Sequence, residues 1–158
     1  DQIQKIYSGK ITNWKEVGGR NEKIVAYQRN EDSGSQTQFL RFMEEEDIMI
    51  PPTDQVEDLM SGMIEEVADY ENRTNSIGFS FRYYTEKMIA NPNIKMLSVN
   101  GVKPPKETIR NGTYPLNVYI YAVTLKSNKK KNVKKLVDWM LSEQGQYIID
   151  KTGYVPIK

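Results

Sequence analysis

Residues 27–39 read Tyr-Gln-Arg-Asn-Glu-Asp-Ser-Gly-Ser-Gln-Thr-Gln-Phe and hold the groups of this chain best suited to gripping an anion. Ser33 and Ser35 each carry a hydroxyl donor, and Gly34 between them lets a ligand approach the backbone closely. Arg29 offers a planar guanidinium fork that can pair with two oxygens of one oxyanion.

The flanking residues supply elements to position these groups. Lys23-Ile24-Val25-Ala26-Tyr27 is rich in strand formers and predicts a buried strand. Phe39, Leu40, Phe42 and Met43 recur at helical spacing and predict an amphipathic helix. A strand, a Ser/Gly turn and a helix start gather unpaired backbone N–H groups and a positive dipole end at one point, which suits phosphate or sulfate. The same residues also allow a plainer reading. Ser-Gly-Ser is a common helix cap, and an arginine in a strand–helix loop is commonly solvated, so local chemistry leaves both readings open. The loop is no nucleotide-type phosphate loop, because no Gly-Lys-Ser/Thr follows, and no Gly-x-Gly-x-x-Gly fingerprint is present.

Composition narrows the classes. A chain of 158 residues is long enough for one α/β domain with a real core. The formal net charge of +1 argues against bulk nucleic-acid binding, and no apolar run approaches a membrane span. The chain has no cysteine and no histidine, which removes disulfides, thiolate chemistry, Ser-His-Asp triads and most zinc sites. No cofactor, metal site or catalytic residue is expected. Residues 1–7 carry no signal-peptide pattern and read as a helix inside a fold, so a piece of a longer protein or a processed product is expected.

Taken in order, Ile3, Ile6 and Tyr7 form a first helical stripe, and residues 11–19 form a compact turn region anchored by Trp14. The acidic run 44–47 reads as a solvated helix end, and Pro51-Pro52-Thr53 breaks the chain. Residues 56–70 look helical with an interruption at Ser61-Gly62, a pair that could line a cleft or simply cap a helix. Further strands are expected at 75–81, 94–99 and 118–125, with short helices at 83–88 and 106–111. The lysine-rich stretch 126–135 reads as a solvated helix start, since no aromatics interleave with the lysines. Helices through Leu141 and over 144–151 precede an extended tail. Asn-x-Thr at Asn72 and Asn111 is read as incidental.

At this point the ordered motifs resemble those of PstS-type phosphate-binding proteins, the extracytoplasmic receptors of phosphate ABC transporters. Ile6-Tyr7-Ser8-Gly9-Lys10-Ile11-Thr12-Asn13-Trp14 resembles the family's Ile-Phe-x-Gly-Lys-Ile-Thr-Asn-Trp. Arg29, Ser33-Gly34-Ser35 and Phe39 resemble its Arg-x-x-x-Ser-Gly-Thr-x-x-x-Phe anion loop. Residues 75–79, Gly112-x-Tyr114-Pro115-Leu116, and Gly145-Gln146 with Gly153-Tyr154-Val155-Pro156 resemble three more of its segments, in the same order. Ser35 replaces the usual Thr, and Asn117 stands where an Arg often follows Tyr-Pro-Leu.

The resemblance implies a type II periplasmic-binding-protein fold, whose lobes are α/β with a mixed β-sheet flanked by helices. It implies that this single α/β domain, residues 1–158, is one part of a two-lobe protein: residues 1–114 the second lobe, residues 115–158 a return segment toward the first. By matching position, Arg29, Ser33, Gly34 and Ser35 would bind inorganic phosphate, and Glu31 would hold the arginine. The implied partners are phosphate and a membrane ABC permease, with no nucleic acid and a monomeric state. The implied place is extracytoplasmic, a Gram-positive surface lipoprotein or the periplasm. Two rival classes stay in view: an enzyme acting on phosphate esters or another oxyanion, and a sensor or adhesion domain on the same fold.

Overall fold

The computed structural model describes residues 2–44, 46–52, 55–69 and 74–157. Glu45, Thr53, the end of the expected helix at Tyr70 and the Asn72 site lie outside the described residues. The chain divides into two units, Asp1–Lys95 and Met96–Lys158.

The first unit is built around a short extended run. Strand β1 (Val25–Ala26) and strand β2 (Gln28–Arg29) follow each other across Tyr27. β1 pairs in parallel with β4 (Ser76–Ile77), and β2 pairs in parallel with β3 (Val56–Glu57). Among the described residues antiparallel pairing is confined to single bridges, Asn13 with Lys23 and Val99 with Val102. Alternation along the run sends side chains to two faces, as a strand period of two requires. Ile24 and Ala26 pack with Ile6, Tyr7, Phe39, Met43 and Ile77, which draws helix α1 (Gln2–Tyr7) and helix α2 (Gly34–Met43) onto one face. Val25 and Tyr27 pack with Met63 and Val67 of helix α3 (Met60–Asp69) on the other. The result is a helix–strand–helix layering.

Aromatic stacking and buried polar bonds lock the first face. Phe39 stacks on Phe79 at 4.1 Å and meets Tyr7 edge-on at 4.5 Å. The buried Tyr7 hydroxyl lies within donating distance of the carbonyls of Tyr27 (3.1 Å) and Ile77 (3.3 Å), and burial raises its pKa. Trp14, opening a 3-10 turn over Trp14–Val17, donates its indole N–H to the Asn75 carbonyl at 2.8 Å. Gly78 lets α3 approach: a Cβ there would sit 2.5 Å from Met63 Sδ and 2.7 Å from Val67 Cγ2.

Several expectations are corrected here. Val56–Glu57 is a strand rather than the start of a helix, because it finds a ladder partner in β2. α3 starts at Met60 and runs through Ser61 and Gly62 without interruption. Residues 83–88 coil more widely than an α-helix, as a π-type turn over Tyr84–Ile89. The strand expected at 94–99 reduces to the Val99–Val102 bridge.

In the second unit, helix α4 (Lys106–Arg110) is tied to helix α6 (Glu143–Thr152) through Asp150. Lys106 Nζ donates to the Asp150 carboxylate at 3.0 Å and to its carbonyl at 2.7 Å, and Arg110 lies 3.4 Å from the same carboxylate. The Lys106 hydrogen bond is the main cause of a lowered Asp150 pKa. Buried Gln146 bridges the Met140 carbonyl and the Ile157 N–H, each at 2.8 Å. Helix α5 (Lys131–Met140) buries no residue among those described. The apolar stretch 118–125 is not a strand: it forms no ladder, and Ile120, Tyr121 and Val123 are 77%, 76% and 89% exposed. Strand propensity without a partner strand leaves backbone polar groups to water, and no sheet forms.

Candidate anion-binding site

The parallel ladders point the carboxyl ends of β2 and β3 the same way, and in parallel sheets ligands settle at that edge. Arg29 closes β2, and Glu57 closes β3 in register with it. Ser33 then caps α2 in extended conformation (φ −78, ψ 138), its Oγ accepting the Gln36 N–H at 3.1 Å. The first bond back from α2 runs from Thr37 N–H to the Ser33 carbonyl. The N–H groups of Gly34 and Ser35 precede it and meet no acceptor among the described residues. A side chain at Gly34 would enter open space, so the backbone there is approachable.

Arg29 is 92% buried, its relative exposure being 8%. Its Nε lies 3.4 Å from Ser33 Oγ, which is 3.1 Å from Ser35 Oγ. Its Nη1 is buried with no hydrogen-bond partner among the described residues, as is Asn30 Oδ1 beside it in sequence. A buried guanidinium nitrogen without an acceptor costs about 1–3 kcal/mol, a cost that an incoming oxyanion would remove. Arg29, Ser33 and Ser35 are therefore brought together, and the open N–H groups of Gly34 and Ser35 stand at the same helix start. This arrangement can hold a small oxyanion by charge-assisted bonds.

Glu31 and Asp32 are exposed on the loop, and the Glu31 carboxylate is not among the hydrogen-bond partners found for Arg29. Ser61 and Gly62 lie in the first turn of α3. A side chain at Gly62 would collide with Glu57 Oε2, so the carboxylate of Glu57 rests against that turn. Among the described residues no three carboxylates converge to hold a metal ion.

Two participants escape a reading of the sequence. Gln36 accepts the Arg29 backbone N–H on Oε1 (3.1 Å) and donates from Nε2 to Gln28 Oε1 (3.1 Å), which in turn donates to the Met49 carbonyl (2.8 Å). This buried amide relay sets the backbone of Arg29. Its signal was the Ser-x-x-Gln spacing of a capping box at 33–36, with the glutamine redirected from the cap to the strand. Glu57 is the other. Its carboxyl is pushed up first by burial and then by Glu66, while Arg29 pulls it down.

Comparison with known proteins follows the same line. A family model described as a PBP superfamily domain matches residues 1–144. The chain is 30% identical over 158 residues to the phosphate-binding protein PstS of Bacillus subtilis, covering 99% of this chain and 49% of that one. It is 29% identical to PstS of Borreliella burgdorferi, covering 100% of this chain and 57% of that one. Among solved structures it aligns with a protein assigned as a phosphate ABC transporter substrate-binding protein, with bound phosphate, from Clostridium perfringens. That alignment has a TM-score of 0.77 at 31% identity and covers 99% of this chain and 61% of the other. An ABC-type phosphate transport receptor from Vibrio cholerae aligns with a TM-score of 0.72 at 26% identity, over 98% of this chain and 61% of the other. The chain spans about half the length of the curated relatives it matches. It belongs to the PBP superfamily, with the type II α/β lobe fold, and its likeness within that superfamily is to PstS-type phosphate-binding proteins.

Proposed function

We propose that this chain is the phosphate-gripping part of an extracytoplasmic solute-binding protein serving an ABC importer. It holds inorganic phosphate non-covalently and without turnover. The observation that carries this reading is the buried Arg29 with an unpartnered Nη1, set beside the hydroxyls of Ser33 and Ser35 at the start of α2. Ser33, Ser35 and the N–H groups of Gly34 and Ser35 donate to phosphate oxygens, and Arg29 supplies the charge. Glu31 holds the arginine in place, and Ser61 and Gly62 line the cleft from α3. Residues 1–114 act as the second lobe and residues 115–158 return toward the first. Closure over the anion signals to a membrane permease. The likeness to PstS proteins over nearly the whole chain supports this reading.

The test is calorimetry with phosphate on the complete protein. Arg29→Ala is expected to abolish binding, and unchanged affinity would refute the assignment. The fold would survive that result; the anion site would not.

A further inference from the structure

Resting on the anion-site reading above, we propose that Glu57 sets the affinity of the site, its carboxylate sharing the Arg29 guanidinium with the bound anion. The geometry comes from the sheet and from a glycine. Arg29 and Glu57 are register partners on parallel strands, so their Cα atoms are about 4.8 Å apart and their side chains rise from the same face. Gly62, lacking a side chain, lets the Glu57 carboxylate settle against the first turn of α3. Glu57 is half-buried. No ion pair within 4.0 Å joins it to Arg29 among the described residues, so Nη1 stays open to a ligand while the negative charge sits close by.

The charged surroundings define the sign of the effect. Facing Glu57 are Arg29 from β2, Glu65 and Glu66 from α3, and Asp58 next in the chain. Glu66 is itself held by the Tyr27 hydroxyl at 3.1 Å. Burial first, and then three acids against one arginine, lift the Glu57 pKa above the ordinary 4.5. An anion arriving at Arg29 adds a further negative charge and lifts it again. Binding therefore takes up a proton at Glu57, and by linkage anion affinity rises as pH falls toward the Glu57 pKa. Ionised, Glu57 weakens the grip of Arg29 on any oxyanion; neutral, it releases the full cationic charge to the ligand.

Phosphate is the probe, and comparing the two proteins at each pH cancels the titration of the anion itself. The experiment is calorimetric titration of the complete protein with phosphate at pH 5, 6, 7 and 8, for wild type and Glu57→Gln. Glu57→Gln is expected to bind phosphate about tenfold tighter at pH 8. That advantage is expected to shrink as pH falls toward the Glu57 pKa. A thermal melt confirms that the near-isosteric variant folds. If both proteins bind phosphate through Arg29 with the same affinity at every pH, Glu57 has no such role and the anion site stands. If neither protein binds phosphate at any pH, the site reading fails and this inference with it.

Discussion

Arg29 is held at two points, its backbone N–H by Gln36 and its Nε by Ser33, and Glu57 stands in register with it on the neighbouring strand. Ser33 Oγ serves both the Nε contact and the cap of α2, so its removal affects both. Ser33→Ala should cost about 0.5–2 kcal/mol of stability through the lost cap, and should weaken phosphate binding as well. Ser35→Ala should weaken binding with little effect on stability, since among the described residues Ser35 Oγ meets only Ser33 Oγ. Urea unfolding and calorimetry on the two variants distinguish these outcomes. Equal stability loss in both would mean that Ser35 also supports the helix start. At this scale Arg29, Ser33, Gly34 and Ser35 were readable as one local motif, because all four lie within seven residues. Glu57 was not readable, because its partner is 28 residues distant and only the β2–β3 register joins them.

Among elements, the placement of α3 depends on Gly78. A methyl there would press on the Sδ of Met63 and on the stiff, β-branched Val67. Gly78→Ala should therefore destabilise the fold by about 1–3 kcal/mol, and Val67→Ala in the same chain should recover part of the loss. Chemical denaturation of the single and double variants measures this. A fully additive double variant would place the strain elsewhere. Helices α2, α5 and α6 were legible from apolar spacing, and the structure adds the cap of α6 at Ser142. The short strands were less so. Val56–Glu57 carries no alternation long enough to distinguish a strand from a helix, and pairing with β2 decides the matter.

For the whole molecule, the telling segment is 118–125. Its exposed Ile120, Tyr121 and Val123 form a run of the kind that seeks a sheet edge. If these residues return to a first lobe, their amides should exchange quickly in the 158-residue chain and become protected in the complete protein. Hydrogen exchange on both forms tests this, and equally fast exchange in both would remove the proposed lobe organisation. The chain spans about half the length of the curated relatives it matches.

The amino-acid order alone carried the layered α/β class, the local grouping of Arg29 with Ser33, Gly34 and Ser35, and the family, because helical periodicity, cap residues and ordered motifs are local properties of the chain. Long-range contacts decided the rest. The pairing of β2 with β3 set Glu57 beside Arg29, and burial of the guanidinium left Nη1 without an acceptor. The lack of any ladder for 118–125 turned a strong strand pattern into exposed chain. Strands need partners supplied by distant sequence, and a buried charge takes its character from the groups folded around it.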